Sequence, residues 1–236
     1  PFHDDHSPSM VVSPSRQTYH CFVCGASGDV ISFVQHHLNL SFMEALRWCA
    51  VQAGIEFPAK ELSPEEEAAY KKKEAQRIAI DAAAKFFQKN LAQAESFLAS
   101  RGYSLSDKAL TDFGVGYAPM GNLALSELSK AGYSQELLQE VDVLGNSEGR
   151  LYDRFRDRLM FPFYDMQGHV IGFSGRIVTP RERTGKYVNT GETPLFTKGK
   201  HIFGLYQARK SIGKEGFAYL VEGQFDVMSL HKVGVE

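Results

Sequence analysis

Cys21 and Cys24, in the stretch YHCFVCGA, constrain the N-terminal part of this chain more tightly than any hydrophobic pattern does. A C-x2-C pair offers two thiolates to one tetrahedral Zn2+, and a structural zinc takes four Cys or His ligands, so two more are required. Two other readings of the pair exist, a thioredoxin-like redox couple and ordinary core cysteines. The redox motif opens a helix after a core strand. Here aromatics precede the pair, and Gly25-Ala26-Ser27-Gly28 follow it as a tight knuckle turn, which favours zinc.

His3 stands 18 positions before Cys21 and is the expected third ligand. A cysteine three residues before His3 would complete C-x2-H-x17-C-x2-C, and that position lies immediately ahead of Pro1, so the fourth ligand is expected there. Cys49, the alternative, falls on an apolar helix face among Leu46, Trp48 and Ala53 and reads as a small buried hydrophobe. His6, His20, His36 and His37 read as surface or capping residues. Three cysteines, an odd number, argue against a secreted disulfide framework and for metal chemistry in a reducing compartment.

An apolar content of 43% supports a packed core. No apolar run approaches the roughly 18 to 20 residues that a membrane helix needs, and no signal peptide is evident; a soluble, cytoplasmic protein is expected. The net charge of -2 hides an asymmetry: residues 1–58 carry two basic and five acidic groups, residues 150–210 twelve basic and five acidic. Such a basic tract inside a slightly acidic chain suits a polyanion.

Residues 1–58 read as short segments and two helices, one capped by Asp29 and carrying Val30, Phe33, Val34 and Leu38, the other running from about Ser41 to Gly54. Ser63-Pro64-Glu65-Glu66 is a strong helix start. The next two turns are almost wholly charged, so residues 59–77 are expected to form a solvated linker helix that becomes, from Ile78 through Ala82, Phe86 and Phe87, the first core helix of a domain spanning 78–213. Helices are expected near 95–101, 105–111, 122–131 and 134–140, with FGVGYAP as a strand. RLMFPFY, a DMQG turn and HVIGFSGRIV make a hairpin. From 214 onward, GFAYLVEGQFDVMSLHKVG reads as an apolar strand, a Glu-Gly turn and an amphipathic helix, the opening of a parallel α/β unit. Both chain ends are expected to lie within a longer protein. The fold class is thus α+β and α/β multidomain.

Two charged constellations stand out. YDRFRDRLMFPF places Arg154, Arg156 and Arg158 at alternate positions, on one face of an extended strand, where Asp153 and Asp157 offer the alternative of a solvated salt-bridge ladder. Arg176, Lys186, Lys198 and Lys200 follow among glycines and aromatics, a setting in which backbone approaches an anion closely. Glu222 sits where the expected strand ends, the edge at which open α/β sheets bind ligands, and its hard oxygens suit Mg2+, with Asp226 four residues on. Acids at a helix start also occur for electrostatic reasons alone.

PFHDDHSPSM followed by YHCFVCGASGDVISFV resembles the CHC2 zinc-binding module of bacterial DnaG-type DNA primases, lacking only its leading cysteine. RFRDR-x-MFP, GF-x-GR, KY-x-N, ETP-x-F-x-KG and GLY follow in the order of the same family's polymerase domain. The resemblance implies a small zinc ribbon that helps engage template, a mixed α+β polymerase subdomain, and from 214 a truncated Toprim domain. It implies that Arg176, Lys186, Asn189 and Lys198 line a groove for template and nucleotides, beside Arg154, Arg156 and Arg158. It also implies that Glu222, supported by Asp226, works with Mg2+ or Mn2+ and an Asp-x-Asp pair from a later strand. The implied function is synthesis of short RNA primers on single-stranded DNA from ribonucleoside triphosphates, in the bacterial cytoplasm at the replication fork, with a replicative helicase as partner. A Toprim nuclease or topoisomerase and a non-catalytic zinc-ribbon binder of single-stranded DNA are the alternatives.

Overall fold

RLMFPFY and VIGFSGRI are apolar at both parities, and a strand with that pattern must be covered on both faces. In the computed structural model, which describes residues 2–3, 7–38, 40–56, 63–182 and 184–235, they become the two central strands of a sheet. The chain divides into two compact units, Pro1–Ser63 and Pro64–Glu236. The expected boundary at 58/59, like His6, lies outside the described residues.

The first unit is a three-stranded antiparallel sheet, β1 (Met10–Ser13), β2 (Thr18–Cys21) and β3 (Ser27–Asp29), followed by α1 (Val30–Leu38) and α2 (Phe42–Gln52). Alternation along β2 buries Tyr19 and Cys21 and exposes Thr18 and His20. Tyr19 packs edge-on against Phe33 of α1, and Phe2 lies over both rings at 5.4 and 5.2 Å. Asp29 caps α1 by accepting the Ser32 N–H at 2.8 Å. Ser41 and Glu44 close a capping box on α2. At its other end Gly54, at φ 64°, and Ile55 donate back to Val51 and Ala50 and close the last turn.

The second unit opens with α3 (Pro64–Lys89), one continuous helix in which the charged segment and the core segment are the same element. Pro64–Glu74 is exposed, and the buried face begins at Gln76 and runs through Ala79, Ile80, Ala83, Ala84 and Phe87. That face keeps Phe87 of the expected stripe and otherwise lies one residue away: Ile78 is exposed, and Ala82 and Phe86 are only partly buried. The reason is close approach. A Cβ on Gly116 would sit 2.5 Å from the Phe87 carbonyl carbon, so helix and strand meet backbone to backbone there, and the row Ala79, Ala83 and Phe87 is the one turned inward.

That sheet has the order β4 (Gly116–Ala118), β7 (Arg158–Tyr164), β8 (Val170–Ile177), β9 (Tyr187–Asn189), all antiparallel, and β5 (Leu144–Ser147) pairs with β6 (Arg150–Asp153) in a separate hairpin. Parity divides the core. Met160 and Phe173 face α3 with Phe87 and Phe155, whereas Leu159 and Phe161 face the opposite layer with Leu98, Tyr103, Leu110 and Phe113. The second layer comprises α4 (Glu95–Ala99), α5 (Lys108–Asp112) and the last helix, α9 (Gln224–Lys232), whose Met228 is fully buried there. The remaining helices are α6 (Leu123–Lys130), α7 (Gln135–Glu140) and α8 (Leu205–Glu215). The mixed α+β class is the one expected.

One expected strand does not form. Residues 217–221 run without strand pairing, with Phe217, Tyr219 and Leu220 exposed beside an apolar cleft of about 530 Å3 between α8 and α9. A strand needs a neighbour for its N–H and C=O groups, and among the described residues no strand lies alongside. All described pairings are antiparallel, so the expected parallel unit is represented here by its helix, α9.

The N-terminus of α6 is capped from a distant element: buried Asp153 accepts the Ala124 and Leu125 N–H groups, each at 2.8 Å, while Asn122 receives the Asp153 N–H at 3.0 Å. Asp153→Ala leaves one buried and one half-buried donor unpaired and is expected to lower unfolding free energy by about 2–4 kcal/mol, measured by urea denaturation; a loss below experimental error would show that water replaces the carboxylate.

Candidate zinc site and nucleic-acid interface

β2 ends at Cys21, and the chain turns through Cys24 and Gly25, at φ 72°, before pairing again as β3. Two backbone bonds close this knuckle, the Cys21 N–H to the Ala26 carbonyl at 2.8 Å and the Gly25 N–H to the Cys21 carbonyl at 3.0 Å. The candidate ligand atoms of His3, Cys21 and Cys24 all lie within 4.8 Å of one another. In a tetrahedral zinc shell the ligand atoms stand roughly 3.3–3.8 Å apart, so closure onto the ion needs only a small contraction. The Cys21 thiol is held down to about 6, first by the Cys24 backbone N–H and then by the Ser9 hydroxyl 3.3 Å away. A thiolate is what a zinc site requires. Cys49 stands half-buried on α2 outside this cluster, His36 meets the Tyr19 hydroxyl at 3.0 Å, and His20 and His37 pack on Phe22 and Phe33.

The basic tract is brought together differently from its expected strand geometry. β6 ends at Asp153 and β7 starts at Arg158, and Asp157 between them takes φ 52°, so Arg154, Arg156 and Arg158 lie across a bend rather than on one strand face. The bend nevertheless turns all three into one cavity of about 300 Å3, with Met120, Tyr152 and Arg181. Arg156 is exposed with its guanidinium 5.2 Å from the Tyr152 ring centre, and Arg154 pairs with Asp142 at 3.3 Å. Arg158 is buried and donates to three carbonyls, those of Gly175, Gly185 and Lys186, at 2.9, 3.0 and 3.5 Å. The salt-bridge ladder is not the arrangement seen. Asp153 caps α6, and Asp157 accepts from the Tyr117 hydroxyl at 2.9 Å and Arg181 at 3.1 Å. Burial, then the Asp157 bond, pushes the Tyr117 hydroxyl up to about 12.

A second cavity, about 330 Å3, adjoins the first and shares Ile177, Arg181 and Thr184 with it; Phe97, Arg101, Arg176 and Lys186 supply the rest of its chemistry. Arg176 is held there by aromatic faces, with Phe225, Tyr187 and Phe97 ring centres at 5.1, 5.6 and 5.7 Å, and donates to the Tyr187 hydroxyl at 3.0 Å. Among the described residues no carboxylate lines either cavity. Asn189 and Lys198 are exposed and line neither. Arg101 and Arg181 escape sequence reasoning. Arg101 is an ordinary charge beside a helix-ending glycine, and Arg181 is one of a run of charges whose direction only the fold decides.

The acidic end lies against this surface through Phe225. Gln224 donates to the Ser174 hydroxyl of β8 at 3.1 Å, and at the far end of α9 His231 meets Asp112 and Lys232 meets Asp107, both at 2.9 Å. Glu222 and Asp226 are exposed, Asp226 in the first turn, where the helix dipole favours a carboxylate. Among the described residues no third His, Cys or carboxylate joins them in a metal-holding group.

The chain matches the CHC2 zinc finger over residues 1–65 and the DNA primase catalytic core, N-terminal domain, over residues 83–209. The CHC2 match supports structural zinc in the first unit. A DNA primase of Neisseria meningitidis serogroup A is 40% identical over 242 residues, covering 100% of this chain and 40% of the relative; the chain thus spans about two fifths of that protein's length. The crystal structure of the Aquifex aeolicus primase zinc-binding and RNA polymerase domains superposes with a TM-score of 0.64 at 35% identity, covering 100% of this chain and 56% of that one. A DnaG primase catalytic domain bound to single-stranded DNA gives 0.62 at 32% identity, covering 70% of this chain and 55% of that one. With a zinc-finger match at its start and a catalytic-core match over more than half its length, the chain belongs to the DnaG DNA primase family.

Proposed function

We propose that this chain carries the template-binding module and part of the catalytic surface of an enzyme that synthesises short RNA primers on single-stranded DNA. One observation carries this: of two adjoining cavities lined by cations and, among the described residues, by no carboxylate, the second meets through its Arg176 the Phe225 ring of the helix turn that bears Asp226 and follows Glu222. A surface of that kind holds a polyanion beside a place where a cation can be bound. The likeness to a DnaG catalytic domain bound to single-stranded DNA supports a single-stranded template as the polyanion.

In the reaction, the primer 3′-hydroxyl oxygen bonds to the α-phosphorus of an incoming ribonucleoside triphosphate, and pyrophosphate leaves. Arg154, Arg156, Arg176 and Lys186 hold phosphates in place, and Arg158 acts one layer below by fixing the Gly185 and Lys186 backbone. Asn189 and Lys198 extend the basic surface outside the two cavities. Glu222 and Asp226 provide the hard oxygen donors that suit Mg2+ or Mn2+, leaving other positions of an octahedral shell to water, substrate phosphate or further protein oxygens. When bound, such an ion stabilises the attacking and leaving oxygens. His3, Cys21 and Cys24 hold Zn2+ that organises the first unit and takes no part in the chemistry. The setting is the bacterial cytoplasm at the replication fork, with a replicative helicase as partner.

Primer synthesis by the full-length protein tests the whole: with zinc and Mg2+ present, labelled ribonucleotides should be incorporated into short RNA on single-stranded template, and no product would refute the assignment. In that assay Glu222→Gln is expected to lower the rate by on the order of 100-fold or more with template affinity nearly unchanged, whereas a normal rate removes Glu222 from the chemistry. Cys21→Ser should lose zinc and the fold of the first unit, because so small a module depends on its metal; undiminished zinc by metal analysis contradicts the site. Arg176→Ala with Lys186→Ala should weaken binding to an oligonucleotide and flatten its salt dependence by about 1.4 in log-log slope, two single-strand phosphate contacts. An unchanged slope would mean that these cations serve only the fold.

A further inference from the structure

Arg181 is common to both basic cavities, and it stands in the connection between β8 and β9, where it joins them. Its placement comes from the neighbouring dipeptide Asp157-Arg158. The Asp157 carbonyl accepts the Val178 N–H at 3.0 Å, the Asp157 carboxylate pairs with Arg181 at 3.1 Å, and the Arg158 guanidinium binds the Gly185 and Lys186 carbonyls. Two adjacent residues thus hold both ends of the connection. Asp157 itself is buried, at 5% side-chain exposure, and anchored by Tyr117, while the Arg181 side chain remains 47% exposed. A guanidinium has five N–H donors. Among the described residues only Nη2 of Arg181 is engaged, so the group is oriented by its carboxylate and keeps donors for a ligand.

Resting on the groove assignment above, we propose that Arg181 is a phosphate-binding residue that joins the two cavities into one track for the sugar-phosphate backbone of single-stranded DNA. An extended strand suits two adjoining open cavities lined by cations on both sides of a shared arginine. Each cavity also sets an aromatic ring beside its cations, Tyr152 with Arg156 in one and Phe97 with Arg176 in the other, as single-strand grooves combine the two. A bidentate-capable guanidinium held by a buried carboxylate is pre-organised for phosphate, and lysine would match it in charge but not in geometry.

The test uses the intact 236-residue chain, a fluorescent oligothymidylate and a salt series, with GTP binding measured separately. Arg181→Ala is expected to weaken oligonucleotide binding about 3–10-fold and to reduce the salt slope by about 0.7, one phosphate. Arg181→Lys, which keeps a cation beside buried Asp157, should restore the slope but not the full affinity, with thermal unfolding close to the parent. An unchanged slope in Arg181→Ala overturns the proposal, as does weakened GTP binding with oligonucleotide binding intact, which would assign the residue to a triphosphate. If Arg176→Ala with Lys186→Ala weakens oligonucleotide binding and Arg181→Ala does not, only the role of Arg181 fails. If neither does, the groove assignment fails with it.

Discussion

The pairing of β7 with β8 is the constraint on which the second unit depends. Its residues are buried on both faces, so it divides the core into an α3 layer and an α4, α5 and α9 layer. The same pairing sets the cations. Arg158 and Arg176 emerge near one end of adjacent strands, with Leu159 opposite Arg176 and Arg158 opposite Ile177. A register slip of one residue would send every core side chain to the wrong face and take both arginines with it.

Burying guanidinium groups at the end of an apolar sheet is costly unless each is satisfied. Arg158 is satisfied by backbone carbonyls, and Arg176 by a tyrosine hydroxyl and three aromatic faces. Neither solution uses a carboxylate. Of the acids in the same segment, Asp153 is directed to a helix N-terminus, and Asp157 to Tyr117 and to the cavity residue Arg181. Phe225, next to exposed Asp226 in the first turn of α9, packs its ring on Arg176.

The first unit follows a different logic. Its strands are three or four residues long and its apolar core is a few rings, Phe2, Tyr19 and Phe33, with Val34 and the α2 alanines. So small a core gives modest stability by itself. The knuckle geometry of Cys21 to Ala26, with His3 brought alongside, is where a metal adds what the core lacks.

Much of this was legible from the residues alone. The C-x2-C spacing and His3 pointed to three groups that the fold gathers within 4.8 Å, and caps at Asp29, Ser41 and Gly54 marked helix ends, because these are effects of fixed spacing. The hairpin of β7 and β8 was legible because a double-parity apolar run has few other solutions. Tertiary structure alone decided the rest. The buried face of α3 turned on backbone contact at Gly116, which side-chain size does not report. Arg154, Arg156 and Arg158 converge through a bend at Asp157, not through strand alternation, and Arg101 and Arg181 join them from segments whose own sequences are unremarkable surface charge. Residues 217–221 have the composition of a strand but, among the described residues, not the neighbour that would make them one. Sequence specified which groups were present and their local conformation; their convergence on one surface came from long-range pairing, where a hydrogen-bond partner lies tens of residues away along the chain.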